Sequence, residues 1–291
     1  VPSPFVRRLR LAAELRALRE ERGMTADELS RLLYQSRPKV SKLENGHLRP
    51  DLALVMKILD LLDVTGDKWH EVVTIARDAA ERGWWDRYGA AMGDRQRMYA
   101  DIESGAKSIR GYNQFGIPGI LQTPEFTMAL VELDKADGPL DYSPERMIKA
   151  RLQRRKAAFG PEGLTYELIL DEFVMRRLAV APEVMSAQLL HLVETASYEP
   201  RLTVHVLPMD ARIEGGFLAR STFAIYTFPD PNDPTMAIAD TVNTDVVHTA
   251  TTEVARYIEL YQRLRDASLS AVSSLTFLEE AANRLAKMAG S

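Results

Sequence analysis

The chain has 291 residues, 46 % of them hydrophobic and 27 % charged, and it has no cysteine. Such a chain can bury a sizeable core and is expected to form more than one domain. The lack of cysteine excludes disulfides, thiolate metal sites and cysteine nucleophiles. No window approaches a run of apolar residues long enough for a membrane span, and no apolar signal core opens the chain, so neither insertion nor export is expected. The net charge of −4 is divided unevenly: residues 1–50 hold eleven Lys and Arg against six Asp and Glu, a surplus of +5 that leaves −9 for the remainder. A basic head on an acidic body suits a polyanionic partner at one end of the molecule only.

In chain order, Leu11, Leu15 and Leu18 recur at near-helical spacing with Arg16 and Arg19 outside the stripe, and Gly23 marks the stop of a first helix. Thr25-Ala26-Asp27-Glu28 fits a capping box, in which the Thr hydroxyl and the Glu carboxylate satisfy each other's backbone amides at a helix start. Leu29, Leu32 and Leu33 continue that helix, Tyr34-Gln35 breaks it, and Ser36 offers a second N-cap ahead of Val40 and Leu43. Gly46 fits a left-handed residue after the helix end, and Asp51 a cap for Leu54, Val55, Ile58, Leu59 and Leu62. The pattern predicts a helix-turn-helix inside a small helical bundle spanning residues 1–66. Its second short helix buries Val40 and Leu43 and turns Gln35, Arg37, Lys39, Ser41 and Lys42 outward, residue types that reach base edges and phosphates in a major groove. An αα-hairpin in a scaffold is the alternative.

At this point a resemblance is plain. Thr25 to Leu29, Val40-Ser41-Lys42-Leu43-Glu44-Asn45-Gly46 and Arg49-Pro50 resemble the XRE family of bacterial and phage repressor-type domains. That family usually carries Gln after the Ser or Thr cap of the second helix, as a DNA-backbone contact; here the position is Ala26. Pro38 lies in the first turn of the recognition helix, where its missing amide costs little. The resemblance implies double-stranded operator DNA as partner. Arg37 and Lys39 are the expected base readers with Gln35 and Lys42 next, while Ser41, Asn45, Arg16 and Arg49 are expected on phosphates.

Residues 67–125 read as a helical connector. Trp69, Val72, Val73 and Ile75 continue a helix, and Gly83-Trp84-Trp85-Asp86-Arg87-Tyr88 suits an aromatic anchor, with a ligand cage as the alternative. Trp84, Trp85, Tyr88 and Tyr112 are the residues expected around a ligand or partner pocket. Pro118-Gly119 predicts a turn, and Thr123 a cap with Pro124 in the first helical turn.

Residues 126–291 read as a mixed α/β regulatory and dimerisation domain. Helices are predicted over 144–159, 182–197, 252–267 and 270–289, and strands over 164–170, 202–207, 222–228 and 235–239, with a weaker one at 242–247. The expected fold class is therefore α+β: an all-α repressor-like head and a body with a four- or five-stranded sheet. Met147, Ile148, Leu152 and Phe159 make the apolar side of the 144–159 helix, and its Lys and Arg residues read as a solvated or salt-bridged surface, with a second nucleic-acid face as the alternative.

A second resemblance covers nearly all of residues 83–285. Gly83-Trp84-Trp85, Ser108-Ile109-Arg110, Pro118 to Thr123, Arg151 to Arg155, Leu170-Asp171-Glu172, Val206-Leu207-Pro208 and Leu264-Arg265 resemble the C-terminal domain of the WhiJ-like actinobacterial regulators. That group resembles antitoxin-like repressors paired with a small partner protein, and its motifs carry no known reaction.

Asp171-Glu172, Asp210 and Asp240 near strand ends are the acids a hydrolytic site would draw on, but adjacent strand residues face opposite ways and no His or Lys stands in a telling relation to them. Pairing with Arg176 or Arg177 is expected instead. His191, Glu194, His205 and His248 lack metal-site spacing, and Gly215-Gly216 lacks that of a phosphate loop, so no enzyme, metal or cofactor is expected. The expected protein is a cytoplasmic, nucleoid-associated regulator of transcription, a homodimeric repressor switched by a small partner protein or ligand. An HTH-targeted hydrolase and an antitoxin-like interaction module are the alternatives.

Overall fold

A computed structural model describes residues 1–140, 142–216, 221–241 and 244–290. The chain divides into two compact units, each drawn from separated stretches. The first comprises Val1–Arg87, Arg97–Ala106 and Phe228–Pro234; the second comprises Tyr88–Gln96, Lys107–Thr227 and Thr235–Ser291.

Five helices open the first unit: α1 (Pro4–Glu21), α2 (Ala26–Leu32), α3 (Arg37–Glu44), α4 (Leu52–Leu61) and α5 (Gly66–Ala80). Leu11, Leu15, Leu29, Leu33, Val40, Leu43, Val55, Ile58, Leu59 and Leu62 form one core with Val72, Val73, Ile75, Ala76 and Ala79 of α5. The expected boundary at residue 66 therefore differs from the contact pattern: α5 lies along α1 and supplies a wall of that core rather than leading out of it. The tail of α6 (Asp94–Gly105) belongs to the same unit. Its buried Asp101 accepts from the Ser3 hydroxyl at 2.7 Å and from the Phe5 amide at 2.9 Å, fixing the start of α1. Gly105 permits this approach, since a Cβ there would fall 2.3 Å from the Ser3 nitrogen. The stretch 228–234 brings Asp230 and Asp233 to α1, where Asp230 lies 2.8 Å from Arg10 Nη1 and 3.0 Å from Arg7 Nη2. Neither attachment has a local sequence signal.

The second unit is built on a six-stranded sheet: β1 (Ser108–Asn113), β2 (Thr165–Asp171), β3 (Leu202–Leu207), β4 (Phe223–Thr227), β5 (Met236–Asp240) and β6 (Asp245–His248), in the order β3-β2-β1-β4-β5-β6. β1, β2 and β3 run parallel, and β4, β5 and β6 follow antiparallel. The expected count of four or five strands is corrected to six among the described residues. β1 sits in the stretch read as connector, masked by Gly111 in its middle. That glycine lies beside the Tyr166 ring, where a Cβ would approach the phenolic oxygen to 3.1 Å. The predicted strand at 242–247 begins on Val242 and Asn243, outside the described residues; β6 starts at Asp245.

The parallel strands are joined by helices, as parallel pairs require. α7 (Pro124–Asp137) and α8 (Pro144–Ala158) link β1 to β2, while α9 (Phe173–Arg176) and α10 (Pro182–Tyr198) link β2 to β3. Thr123 caps α7 by accepting from the Phe126 amide at 3.1 Å. On α8 the expected apolar side is corrected: Leu152 is exposed, whereas Arg154 is buried and donates to Gln96. Arg151 donates to Gln122 and Thr127, and Arg155 donates to the Thr195 hydroxyl at 2.9 Å, so Arg151, Arg154 and Arg155 turn to partners within the unit. α11 (Thr251–Ala267) covers one sheet face with Val254, Tyr261 and Leu264. α12 (Ala271–Ala289) packs on α10 and β3, and its approach closes the outer edge of β3. There the Leu269 amide donates to the Val206 carbonyl, and the Val206 amide donates to Ser274 Oγ, both at 2.9 Å. Among the described residues no helix is long and apolar enough to cross a membrane.

Candidate nucleic-acid interface

The site starts at the capping box. Glu28 Oε2 accepts from the Thr25 amide at 2.8 Å, and Thr25 Oγ1 accepts from the Glu28 amide at 3.2 Å, which starts α2 where the sequence predicts. α2 ends in a Schellman turn: the Gln35 amide donates to the Ser30 carbonyl and the Tyr34 amide to that of Arg31. Its left-handed residue is Tyr34, at φ 52°, a conformation that costs a non-glycine residue roughly 1 kcal/mol or more. The Tyr34 side chain is 90 % exposed, with the Lys57 ammonium over its ring at 5.6 Å.

α3 follows with Pro38 in its first turn; Ser36 occupies the N-cap position but makes no side-chain cap bond. The helix buries Val40, Leu43 and Glu44 and leaves Arg37, Ser41 and Lys42 exposed, with Gln35 and Lys39 half-buried. At its end the His47 amide donates to the Lys42 carbonyl and the Gly46 amide to that of Leu43, a second Schellman turn. Gly46 is left-handed at φ 71°, and a Cβ there would lie 3.1 Å from Leu9 and 3.3 Å from the Arg8 carbonyl oxygen.

Two arginines of α1 hold α3 in place. Arg19 makes a two-pronged pair with the buried Glu44, Nε to Oε1 at 2.7 Å and Nη2 to Oε2 at 3.1 Å. Arg19 Nη1 also donates to the Met24 carbonyl at 2.7 Å, so one side chain ties together α1, the turn before α2 and α3. The Glu44 hydrogen bond raises the Arg19 pKa further, so its charge is permanent. Arg16 Nη2 donates to the Glu44 carbonyl at 2.6 Å and to Asn45 Oδ1 at 2.8 Å, satisfying the carbonyl end of α3 with a cation, as the helix dipole favours.

The residues expected on DNA thus fall into two sets. Gln35, Arg37, Lys39, Ser41 and Lys42 lie together along the outer side and start of α3. Arg37 is 71 % exposed, its Nε 2.7 Å from Asp27, and Lys39 donates to Gln35 at 2.9 Å. Arg16 and Asn45 lie at the far end of α3, where Asn45 also donates to the Ser41 carbonyl at 2.7 Å. Arg49 is half-buried beside Asp86, 3.2 Å from its carboxylate. Sequence reasoning missed the Arg19–Glu44 pair, since Arg19 reads as one more surface cation until α3 is packed against α1.

The four residues expected around a pocket are divided between the units. Trp84 and Trp85 belong to the first, edge to face with centroids 5.8 Å apart, and Trp85 is buried. Gly83 is required beside them, because a Cβ there would stand 2.2 Å from the Trp85 ring. Tyr88 and Tyr112 belong to the second unit. Tyr88 donates to Gln153 at 3.1 Å, while Tyr112 is fully buried in β1.

Of the strand-end acids, Glu172, Asp171 and Asp240 are engaged. Glu172 pairs with Arg176 as expected, and also accepts from the Met209 amide at 3.0 Å. Asp171 accepts from the Tyr112 hydroxyl at 2.8 Å and the Phe173 amide at 2.9 Å. Asp240 pairs with Arg95 at 2.7 Å; it lies three strands from Asp171, about 14 Å at ordinary strand spacing. His191 contacts Arg155, and burial beside that cation lowers its pKa. No cluster of three or more metal-ligating side chains occurs among the described residues.

No curated protein and no solved structure matches the chain. The family models do. Residues 10–71 match the one described as a helix-turn-helix domain, which encloses the capping box, α3 and both Schellman turns, so the head is an XRE-like helix-turn-helix and suggests a DNA-binding regulator. The second match covers residues 96–280, more than half of the chain, and the protein belongs to the family described as a domain of unknown function, DUF5753.

Proposed function

We propose that this protein is a sequence-specific DNA-binding transcriptional regulator, a non-catalytic repressor that works as a homodimer in the cytoplasm and whose C-terminal domain senses a small partner protein or a small molecule. The observation that carries the reading is the α3 surface. Polar and cationic side chains line its outer side while its inner side is locked to α1 by the Arg19–Glu44 pair, which is how a recognition helix is presented to a major groove. Arg37 and Lys39 read bases, with Gln35 and Lys42 beside them; Ser41, Asn45, Arg16 and Arg49 position phosphates. The Arg37–Asp27 pair is exposed, and such pairs contribute about 0 to 1 kcal/mol, so Arg37 exchanges Asp27 for a guanine edge at little cost. A single eight-residue helix contacts too few base pairs to select one site in a genome, which favours a dimer on paired half-sites.

The sensing role is supported by the resemblance of the body to that of WhiJ-like regulators, whose group is paired with small proteins, and by the commitment of Asp171, Glu172 and Asp240 to internal partners rather than to a shared reaction centre. The test is a genomic DNA pull-down followed by titration of the recovered operator. Arg37→Ala should cost about 1 to 3 kcal/mol on the operator and relax preference at one base pair. An equal loss on operator and random duplex would remove Arg37 from base readout. Duplex affinity that does not fall with salt would remove DNA as the partner.

A further inference from the structure

We infer that the second unit carries a small-molecule site at the carboxyl ends of β1, β2 and β3, and that its ligand is a small, mainly apolar primary amine. The proposal rests on the sensing role only for what the ligand does to DNA affinity; binding itself stands apart from it.

The three parallel strands end side by side at Asn113, Asp171 and Leu207. In open α/β sheets ligands sit outside the carboxyl ends of the parallel strands, where the order of strands reverses, and here the chain turns back after β3 to place β4 on the far side of β1. A cavity of about 280 Å³ lies at this place, with Tyr112, Gln114, Asp171, Phe173, Met209 and Ile213 in its wall. That volume is at the small end for ligand sites.

The chemistry of the wall sets the ligand class. Tyr112 commits its proton to Asp171 Oδ2 at 2.8 Å, and burial together with the neighbouring carboxylate pushes the phenol's pKa up, so the ring stays neutral. Asp171 Oδ1 takes the Phe173 amide at 2.9 Å, which fixes the carboxylate plane and leaves each oxygen a further lone pair. Gln114 has its backbone amide on Thr222 Oγ1 at 3.1 Å, while its side-chain oxygen is buried without a hydrogen-bond partner. The free valence that Asp171 offers the cavity is therefore an acceptor on a carboxylate. It calls for an N–H donor with positive charge and disfavours an anion. The remaining wall is apolar and aromatic, and the Arg177 guanidinium already covers a face of Phe173 at 4.4 Å, so the ligand's cation is directed to Asp171 rather than to that ring.

The experiment titrates full-length protein with 2-phenylethylamine, 2-phenylethanol and 3-phenylpropanoate by calorimetry. The expected result is saturable binding of the amine, at least tenfold weaker binding of the alcohol and none of the carboxylate. Ala211→Phe, which fills the cavity from its rim, should abolish amine binding while circular dichroism stays native. Asp171→Asn, which removes the carboxylate's charge at nearly unchanged size, should weaken it at least tenfold and serves if the first variant does not fold. Equal affinity for all three probes, no binding of the amine, or unchanged binding in a folded Ala211→Phe or Asp171→Asn protein would overturn the site. Operator affinity is measured alongside: amine binding with no change in it leaves the site standing and removes small-molecule sensing, whereas absent amine binding removes the site and leaves DNA recognition untouched.

Discussion

The two units differ in where their order comes from. In the first, many helix ends are set by residues within a few positions: Ser3, Thr25 and Asp51 accept backbone amides at the starts of α1, α2 and α4, and left-handed Gly23, Tyr34, Gly46 and Asp63 close α1 to α4. In the second, β2, the middle of the three parallel strands, is paired on one side with β1, more than fifty residues earlier, and on the other with β3, more than thirty residues later. The difference teaches that a helix-turn-helix surface can be assembled largely from local rules, while a cavity at the carboxyl ends of parallel strands exists only once distant strands are in register.

The contrast can be tested at its strongest point first. Glu44→Ala strands Arg19 as a buried cation and should destabilise the first unit by about 3 to 5 kcal/mol, read as lost hydrogen-exchange protection across α1 to α4. A loss below 1 kcal/mol would mean that the local caps alone hold the head. Gly46→Ala forces a Cβ into the left-handed turn against Leu9 and Arg8, and should cost about 1 to 2 kcal/mol in the same measurement. Tyr34→Gly is the opposite case. It should relieve strain and stabilise by at most about 1 kcal/mol, unless the exposed ring and its contact with Lys57 contribute as much.

The body's counterpart is an acid transition. Glu167 on β2 is held down to about 2, from an ordinary 4.5, by His205, whose Nε2 is 3.5 Å away, and by Arg265 Nε at 2.8 Å. The folded value lies below the unfolded one, so this stabilisation is fully present above pH 4.5 and is lost as pH falls towards 2. Melting temperatures followed from pH 5 to pH 2 should drop less steeply in Glu167→Gln than in the parent. Parallel slopes would show that the β2–α11 ion pair contributes no acid sensitivity.

Much of the head was legible because its signals are short. The capping box, the break at Tyr34 and the glycine after α3 each specify backbone geometry within one turn, and the structure places all three where the residues imply. The starts of α7 and α10 to α12, and the strands from β2 to β5, were legible within a residue or two for the same reason: caps, prolines and β-branched runs are local. β1 was not, because Gly111 interrupts its apolar alternation in order to admit Tyr166, a residue of the neighbouring strand. The arginines of α8 misled in the other direction, since a cationic stripe looks solvated until Gln96, Gln122 and Thr127 arrive to receive it.

What the amino-acid sequence determined by itself was the secondary structure with strong punctuation, the basic character of the head and the set of side chains that α3 turns outward. Those depend on φ, ψ and periodicity, which act over a few residues. Only the tertiary structure decided that Arg19 is a buried strut while Arg37 stays exposed, that 228–234 belongs with α1, and that Tyr112, Gln114 and Asp171 share one cavity. Such partnerships depend on which surfaces are excluded from water and on which strands pair in register, and neither is written in any short stretch of chain.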